Sequence, residues 1–460
     1  MLFTTLNFVV FLLVVLSLFY LLPRPARRYL LLAASLFFYM SWNAKFVVLI
    51  LGLITIDYFA AMWIFSRAGW NRRLALIASL CANIGLLGWF KYANFLRETW
   101  FLVVHPGVQA QPLDIILPLG ISFHTFQSIS YVIDVYRGEQ PVIKSYIDYA
   151  LFVSFFPQLV AGPIVRAKEF FLDYFNWNPP TAEEWRRGFA MILTGFVKKL
   201  IFADQFAAAA DLYYSNPWAM PGRVPAWTGS IAFGLQIFFD FSGYTDIAIG
   251  VALLFGFHFP ENFRRPYLAA SVTEFWRRWH MTLSGWLRDY VYISLGGNRR
   301  GNLRTYANLM ATMLLGGLWH GASWNFVIWG GYQGTALALE RLIWRRQERK
   351  GMVRIPFGLL TFAVICVGWV FFRAKTLPAA LFVIGQMFSG TAGASVLSTG
   401  QIALASASLL VALAEEYRHV LTRLAEAPMW ARTAAAVVTL LAIELFTASD
   451  QSIPFVYFQF

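Results

Sequence analysis

The residues best suited to chemistry in this chain of 460 are two histidines set among tryptophans. His280 lies in S-V-T-E-F-W-R-R-W-H-M-T-L-S-G-W-L-R-D-Y, from Ser271 to Tyr290. His320 lies in L-W-H-G-A-S-W-N-F-V-I-W-G, from Leu318 to Gly330. An ionisable side chain at membrane depth is expensive, so it points first to function. A neutral imidazole, with an ordinary pKa of about 6.5, can take the proton of a hydroxyl as its oxygen attacks. A thioester is already activated and needs no covalent enzyme nucleophile. Burial of the site keeps water from competing. Acyl transfer from a thioester to a sugar hydroxyl is therefore chemistry that this pair can serve. The structural alternative is a pair of core histidines satisfied by backbone carbonyls or aspartates.

The elements that position the pair can be read locally. Ser271 with Glu274 three residues on fits a capping box, so a helix is expected to start there. On it Trp276, Trp279, His280, Leu283 and Leu287 share one apolar face, and Glu274 can pair with Arg278. Gly296, Gly297 and Asn298 end the element. Glycines flank His320 and allow close approach of backbone or substrate, and Ser323, Trp324 and Asn325 follow as a helix start. His124, on an apolar run, reads equally as core or site. His105 and His258 read as loop or interface residues, and His419 as part of a cytoplasmic loop.

Composition sets the medium. Hydrophobic residues make up 58% of the chain and charged ones 13%, with a mean hydropathy of +0.57. A soluble protein could not hide that much apolar surface, so the chain reads as a polytopic membrane protein. The net charge of +13 comes from short basic runs between apolar segments, which fits positive-inside loops rather than nucleic-acid binding. Leu2–Leu22 precedes the basic Pro23–Arg28 and reads as a retained first helix with its N-terminus outside. Further spans are expected at 30–42, 46–65 and 74–90, with Arg97–Asp114 as an outer loop. From 115 to 165, Pro118, Gly120, Pro157, Gly162 and Pro163 interrupt the apolar runs, which suggests broken helices around a cavity. Asp240 and Asp246 are expected to pair with arginines or to cap helix ends. Trp344–Arg354 is the clearest cytoplasmic loop, and Ala379–Phe388 is too short to span. The expectation is one all-α membrane domain over residues 1–460, with roughly 10–13 membrane segments. Cys81 and Cys366 have no partner spacing and read as structural. No phosphate loop, G-x-S-x-G, H-E-x-x-H or Cys/His zinc spacing is present, so no metal site is expected.

The runs F-W-R-R-W-H-M-T-L-S-G-W-L-R-D-Y-V-Y-I-S-L-G-G-N-R and G-G-L-W-H-G-A-S-W-N-F-V-I-W-G, with the earlier P-L-G-I-S-F-H-T-F-Q and A-G-P-I-V-R, resemble the membrane-bound O-acyltransferase family. Within it they resemble the bacterial alginate O-acetylase branch, and the likeness extends over essentially the whole chain. The resemblance implies a helical bundle with broken or re-entrant helices and a central tunnel that meets at a histidine. It implies His320 as the catalytic histidine and His280 as the second polar position. His320 would then serve as general base or as a transient acyl acceptor, and His280 would orient or polarise the thioester carbonyl. Trp276, Asp289 and Asn325 would be neighbours of the substrate. The same resemblance implies acetyl-CoA as a cytoplasmic donor substrate, no bound cofactor, and a polysaccharide acceptor. It also implies a periplasmic partner of the SGNH-hydrolase-like type, and residence in lipid at the bacterial inner membrane with a periplasmic N-terminus. Arg299, Arg300, Arg304 and the run Arg341–Arg354 could attract the phosphates of CoA.

Three rival readings make different predictions. A saccharide or lipid transporter would move substrate without cleaving a bond, but no transporter-type internal repeat is visible. A non-catalytic subunit of an exopolysaccharide machine would tolerate glutamine at either histidine. A D-alanyl-transferring relative would take its thioester from a carrier protein.

Overall fold

A computed structural model of the protein describes residues 1–108, 110–159, 162–344, 351–418, 427–446 and 455–456. The described residues form helices and turns without strands. They cluster into two compact units, one of residues 1–189 and 248–260, the other of residues 190–247 and 261–460.

In the first unit α1 (Leu6–Leu21) and α2 (Arg24–Met40) are separated by Leu22 and Pro23, and Pro25 occupies the opening turn of α2, where it forfeits no helical hydrogen bond. Phe8, Phe11, Phe38 and Phe156 pack with ring centroids 5.2–6.5 Å apart. α3 (Val47–Ser66) pairs with α4 (Gly69–Leu87) around a buried carboxylate. Asp57 accepts hydrogen bonds from Ser79 Oγ at 2.6 Å and from Asn83 Nδ2 at 2.8 Å. A π-helical stretch, Gly88–Tyr92, carries α4 directly into α5 (Ala93–Val104). Residues 97–104, expected in an outer loop, are therefore helical. Their run R-E-T-W-F-L-V-V contains no helix breaker, and the chain turns at His105–Gly107.

The interrupted region behaves as its prolines and glycines require. α6 (Ile121–Arg137) starts after Gly120 and ends at Gly138, both at positive φ, where glycine closes a helix without a Cβ clash. α7 (Tyr146–Ser154), α8 (Phe156–Leu159) and α9 (Ala167–Phe175) are short, and the first two are largely buried. His124 lies on α6, fully buried, and its ring nitrogens meet no hydrogen-bond partner among the described residues. His258 is held between Asp173, 3.2 Å from Nδ1, and Glu184, 2.7 Å from Nε2.

α10 (Ala182–Phe196) runs through a π-helical stretch, Val197–Ala203, into α11 (Asp204–Ser215). In the second unit that stretch faces α12 (Arg223–Leu254), where a Cβ on Gly195 would lie 2.5 Å from the Gly243 carbonyl. The close approach brings Lys199 to Asp240 at 3.0 Å and to Asp204 at 2.8 Å, and Lys198 to Asp246 at 2.5 Å. Asp240 also accepts a hydrogen bond from the Val456 amide. The aspartates thus pair with lysines, not with the expected arginines, because the close contact of Gly195 with Gly243 sets those two lysines against α12.

The rest of this unit comprises α13 (Val272–Trp276), α14 (Met281–Trp286), α15 (Asn302–His320), α16 (Trp324–Trp344), α17 (Arg354–Arg373), α18 (Leu377–Met387), α19 (Thr399–Arg418) and α20 (Met429–Phe446). Five described helical stretches are long and apolar enough to cross a membrane: 44–66, 69–104, 223–254, 351–373 and 429–446. Shorter apolar helices are α1 and α18. Residues 345–350 of the basic loop, His419 and most of the C-terminal tail lie outside the described residues.

Candidate active site

The stretch around His280 is less regular than its periodicity suggests. Ser271 caps α13 by accepting a hydrogen bond from the Glu274 amide at 3.0 Å, while Glu274 reaches the Ala270 amide at 2.9 Å. Glu274 and Arg278 pair at 2.8 Å as expected. The helix nevertheless stops at Trp276, and His280 adopts a left-handed conformation, φ 41° and ψ 55°, before α14 begins. A continuous helix through His280 is thus not what forms. The break is clamped from a second loop, where the Asn262 carbonyl accepts from the Met281 amide at 2.9 Å and the Arg264 amide donates to the Arg278 carbonyl at 2.8 Å. His280 and Arg265 are the non-glycine residues at positive φ among the described residues. Each such conformation costs about 1–3 kcal/mol and persists only where its surroundings enforce it. Such strain concentrates at functional sites.

The imidazole of His280 is fully buried. Its Nδ1 lies 3.0 Å from Asn262 Oδ1, and the Phe241 ring meets it edge-on at 4.7 Å. Trp279, Leu283 and Leu287 remain buried, so the break redirects the histidine without exposing the apolar face.

His320 is the last residue of α15, followed by the extended Gly321. A cation there would be favoured by the carboxyl end of the helix. Three rings surround the imidazole: Trp319 at 4.9 Å, Trp329 at 5.1 Å and Phe372 at 5.2 Å. The Trp319 ring is also 5.8 Å from His280, so one indole touches both histidines. α15 and α16 approach closely enough that a Cβ on Gly317 would lie 2.2 Å from the Phe326 carbonyl oxygen. The glycines around His320 thus allow a helix contact. His320 itself lines a cavity of about 230 Å³. Trp276, Leu287, Met313 and Trp329 form much of its wall, Thr273, Ser284 and Thr312 add hydroxyls, and Arg288 and Arg341 add charge.

The expected neighbours separate here. Trp276 lines the cavity and packs against Val272, Met313 and Leu337. Asp289 is not in the wall but pairs with Arg288, which is, at 2.6 Å. Asn325 is buried and donates to the Ala374 carbonyl at 2.8 Å, tying α16 to the end of α17. Among the arginines, Arg341 reaches the cavity wall, and Arg299, Arg300 and Arg304 do not. Three residues of the site escaped the reading of the sequence. Asn262 lies in the basic run P-E-N-F-R-R-P, where a lone asparagine was the one available signal. Trp369, whose ring lies 5.0 Å from Trp279 and 5.4 Å from Phe372, and Phe372 itself come from a plain apolar helix and carry no local mark at all.

The arrangement pairs a histidine in a small, mostly apolar cavity with a second, deeply buried histidine beside it. It offers proton transfer in a water-poor setting, and no group of ligands able to hold a metal occurs among the described residues.

Comparison with known proteins gives one matching family model, MBOAT, the membrane-bound O-acyltransferase family, over residues 138–377. A protein of Pseudomonas putida named "Probable alginate O-acetylase" is 40% identical, covering 98% of each chain. One of the same name from Pseudomonas aeruginosa is 45% identical over 82% of this chain and 73% of its own. A peptidoglycan O-acetyltransferase of Helicobacter pylori is 40% identical over 78% of this chain and 73% of its own.

Proposed function

The chain belongs to the membrane-bound O-acyltransferase family, in its alginate O-acetylase-like branch, and we propose that it moves acetyl groups from cytoplasmic acetyl-CoA for O-acetylation of an extracytoplasmic polysaccharide. It is a multi-pass membrane O-acyltransferase. Its proposed seat is the bacterial inner membrane with a periplasmic N-terminus, its first acceptor class an alginate-like exopolysaccharide, and its partner a periplasmic SGNH-type acetyltransferase. Names carried by relatives support both alginate and peptidoglycan as acceptor classes.

The observation that carries this reading is His320 at the wall of a small, ring-lined cavity. Sites that enclose whole drug-sized ligands run to about 300–1,000 Å³. A cavity of about 230 Å³ suits the acyl-thioester end of a donor, not a sugar chain. In the reaction the acceptor hydroxyl oxygen bonds to the thioester carbonyl carbon and the carbon–sulfur bond breaks. His320 takes the hydroxyl proton and returns it to the departing thiolate. The rings around His320 exclude water, which would otherwise hydrolyse the thioester. Arg288 and Arg341 supply positive charge toward an anionic donor.

The test is the O-acetyl content of cell-surface polysaccharide in cells carrying wild type or His320→Ala at matched membrane levels. Loss of acetyl ester with normal polymer export is expected. Unchanged acetylation would overturn the assignment, and loss of export would favour a transporter.

A further inference from the structure

We infer that Asn262 is a positioning residue that fixes the tautomer of His280, holding its hydrogen on Nδ1 and leaving Nε2 unable to donate. This rests on the acyl-transfer reading above and revises the carbonyl-polarising role expected for His280.

The assignment starts from an atom that can only donate. The Thr282 backbone amide lies 3.3 Å from the side-chain atom of Asn262 that also faces His280 Nδ1 at 3.0 Å. An amide N–H cannot meet an NH₂ group, so that atom is the oxygen. The Thr282 hydroxyl adds a third contact to it at 3.0 Å. With an oxygen opposite, His280 Nδ1 must carry the hydrogen. The ring is fully buried and lies against Phe241 and Trp319, where an imidazolium would be costly to hold. A neutral imidazole protonated at Nδ1 has its lone pair at Nε2.

That lone pair decides the role. A thioester carbonyl oxygen and its sulfur are acceptors, and polarising them requires an N–H that Nε2 of this tautomer lacks. His280 in this tautomer therefore cannot polarise the carbonyl through Nε2, and the proton transfer stays with His320. The strained backbone is consistent with a ring whose direction matters. The two non-glycine residues at positive φ among the described residues, His280 and Arg265, lie on the two loops zipped together by the Met281 and Arg264 amides. Asn262 Nδ2 has no hydrogen-bond partner among the described residues, so its oxygen carries the function.

The experiment uses the full chain in lipid nanodiscs. Nitrogen-15 NMR of histidine-labelled protein, with His280→Gln to assign one of the six histidines, is expected to show a protonated Nδ1 and an unprotonated Nε2 for His280. The opposite pattern, or two protonated nitrogens, overturns the inference. Steady-state transfer from acetyl-CoA is then compared. Asn262→Leu is expected to lower kcat by about 100-fold at unchanged donor KM, the scale of a misplaced group at the reacting centre. Asn262→Asp, whose carboxylate oxygen accepts the same hydrogens, is expected to recover most of that loss. Wild-type kcat in Asn262→Leu would overturn the inference. Should Asn262→Leu not fold, the wild-type spectrum still decides. Wild type that transfers nothing from acetyl-CoA would sink the donor reading while leaving the tautomer measurement intact.

Discussion

Replacing Gly317 with alanine is expected to cost far more activity than stability. Gly317 lies one turn before His320 on α15, where α16 crosses. An added Cβ would stand 2.2 Å from the Phe326 carbonyl oxygen and 3.2 Å from Gly330 Cα, both rigid backbone. Non-bonded atoms prefer about 3.5 Å, so the helices must separate locally by roughly 1 Å. Overpacking of this kind costs about 1–3 kcal/mol, and alanine returns about 1 kcal/mol of helix propensity. The net stability loss is therefore about 1 kcal/mol. A displacement of about 1 Å at a catalytic group can cost about 100-fold in rate. Gly331→Ala on the facing helix α16 is the control, since its Cβ meets only a leucine methyl at 3.7 Å. The assay is acetyl transfer per folded molecule together with the thermal midpoint in detergent. Wild-type turnover in Gly317→Ala, or equal losses in both variants, would refute the idea that this contact sets His320.

Two further outcomes follow from the charged clusters. Lys199→Met should destabilise the protein by about 3–5 kcal/mol, because it strands the buried Asp204 and Asp240; adding Asp240→Asn should recover part of the loss, and additive losses in the thermal midpoint would argue against the pairing. The His258 clamp predicts a pH window. Burial lowers the pKa of His258, but hydrogen bonds and charge from Glu184 and Asp173 outweigh it and raise the pKa above its ordinary 6.5. The His258 hydrogen bond, then the Thr181 amide and hydroxyl, hold Glu184 at about 2. The raised histidine stabilises fully below 6.5 and loses its effect as pH climbs through the folded value. The depressed carboxylate stabilises above its ordinary 4.5 and loses its effect as pH falls toward 2. Amide exchange around residues 255–258 should therefore be slowest between these limits, and His258→Gln should flatten the profile; an unchanged profile in that variant would exclude the clamp.

The sequence made the medium and the main histidines legible for separate physical reasons. Apolar runs of membrane length announce themselves in composition alone, and a histidine between glycines and tryptophans has few bland explanations. The capping of α13 by Ser271 was equally local, since both partners lie within one turn. The helix expected beyond Trp276 failed because periodicity records which face is buried and says little about a backbone reversal. Trp279, Leu283 and Leu287 keep their burial across the break. Likewise the neighbours of the substrate could be guessed only by proximity in the chain, so Asn325 was grouped with His320 although its side chain binds Ala374.

What the sequence by itself determined, then, is a helical membrane enzyme with His280 and His320 as its candidate chemical residues, because burial cost and residue type are properties of short segments. The tertiary structure alone decided how those residues are used. It set Asn262 against His280, brought Phe372 and Trp329 around His320, and gave Lys199 to Asp240. Each is a contact between separate helices or loops, made by close helix packing and a strained turn, and neither leaves a period or a motif for a linear reading to find.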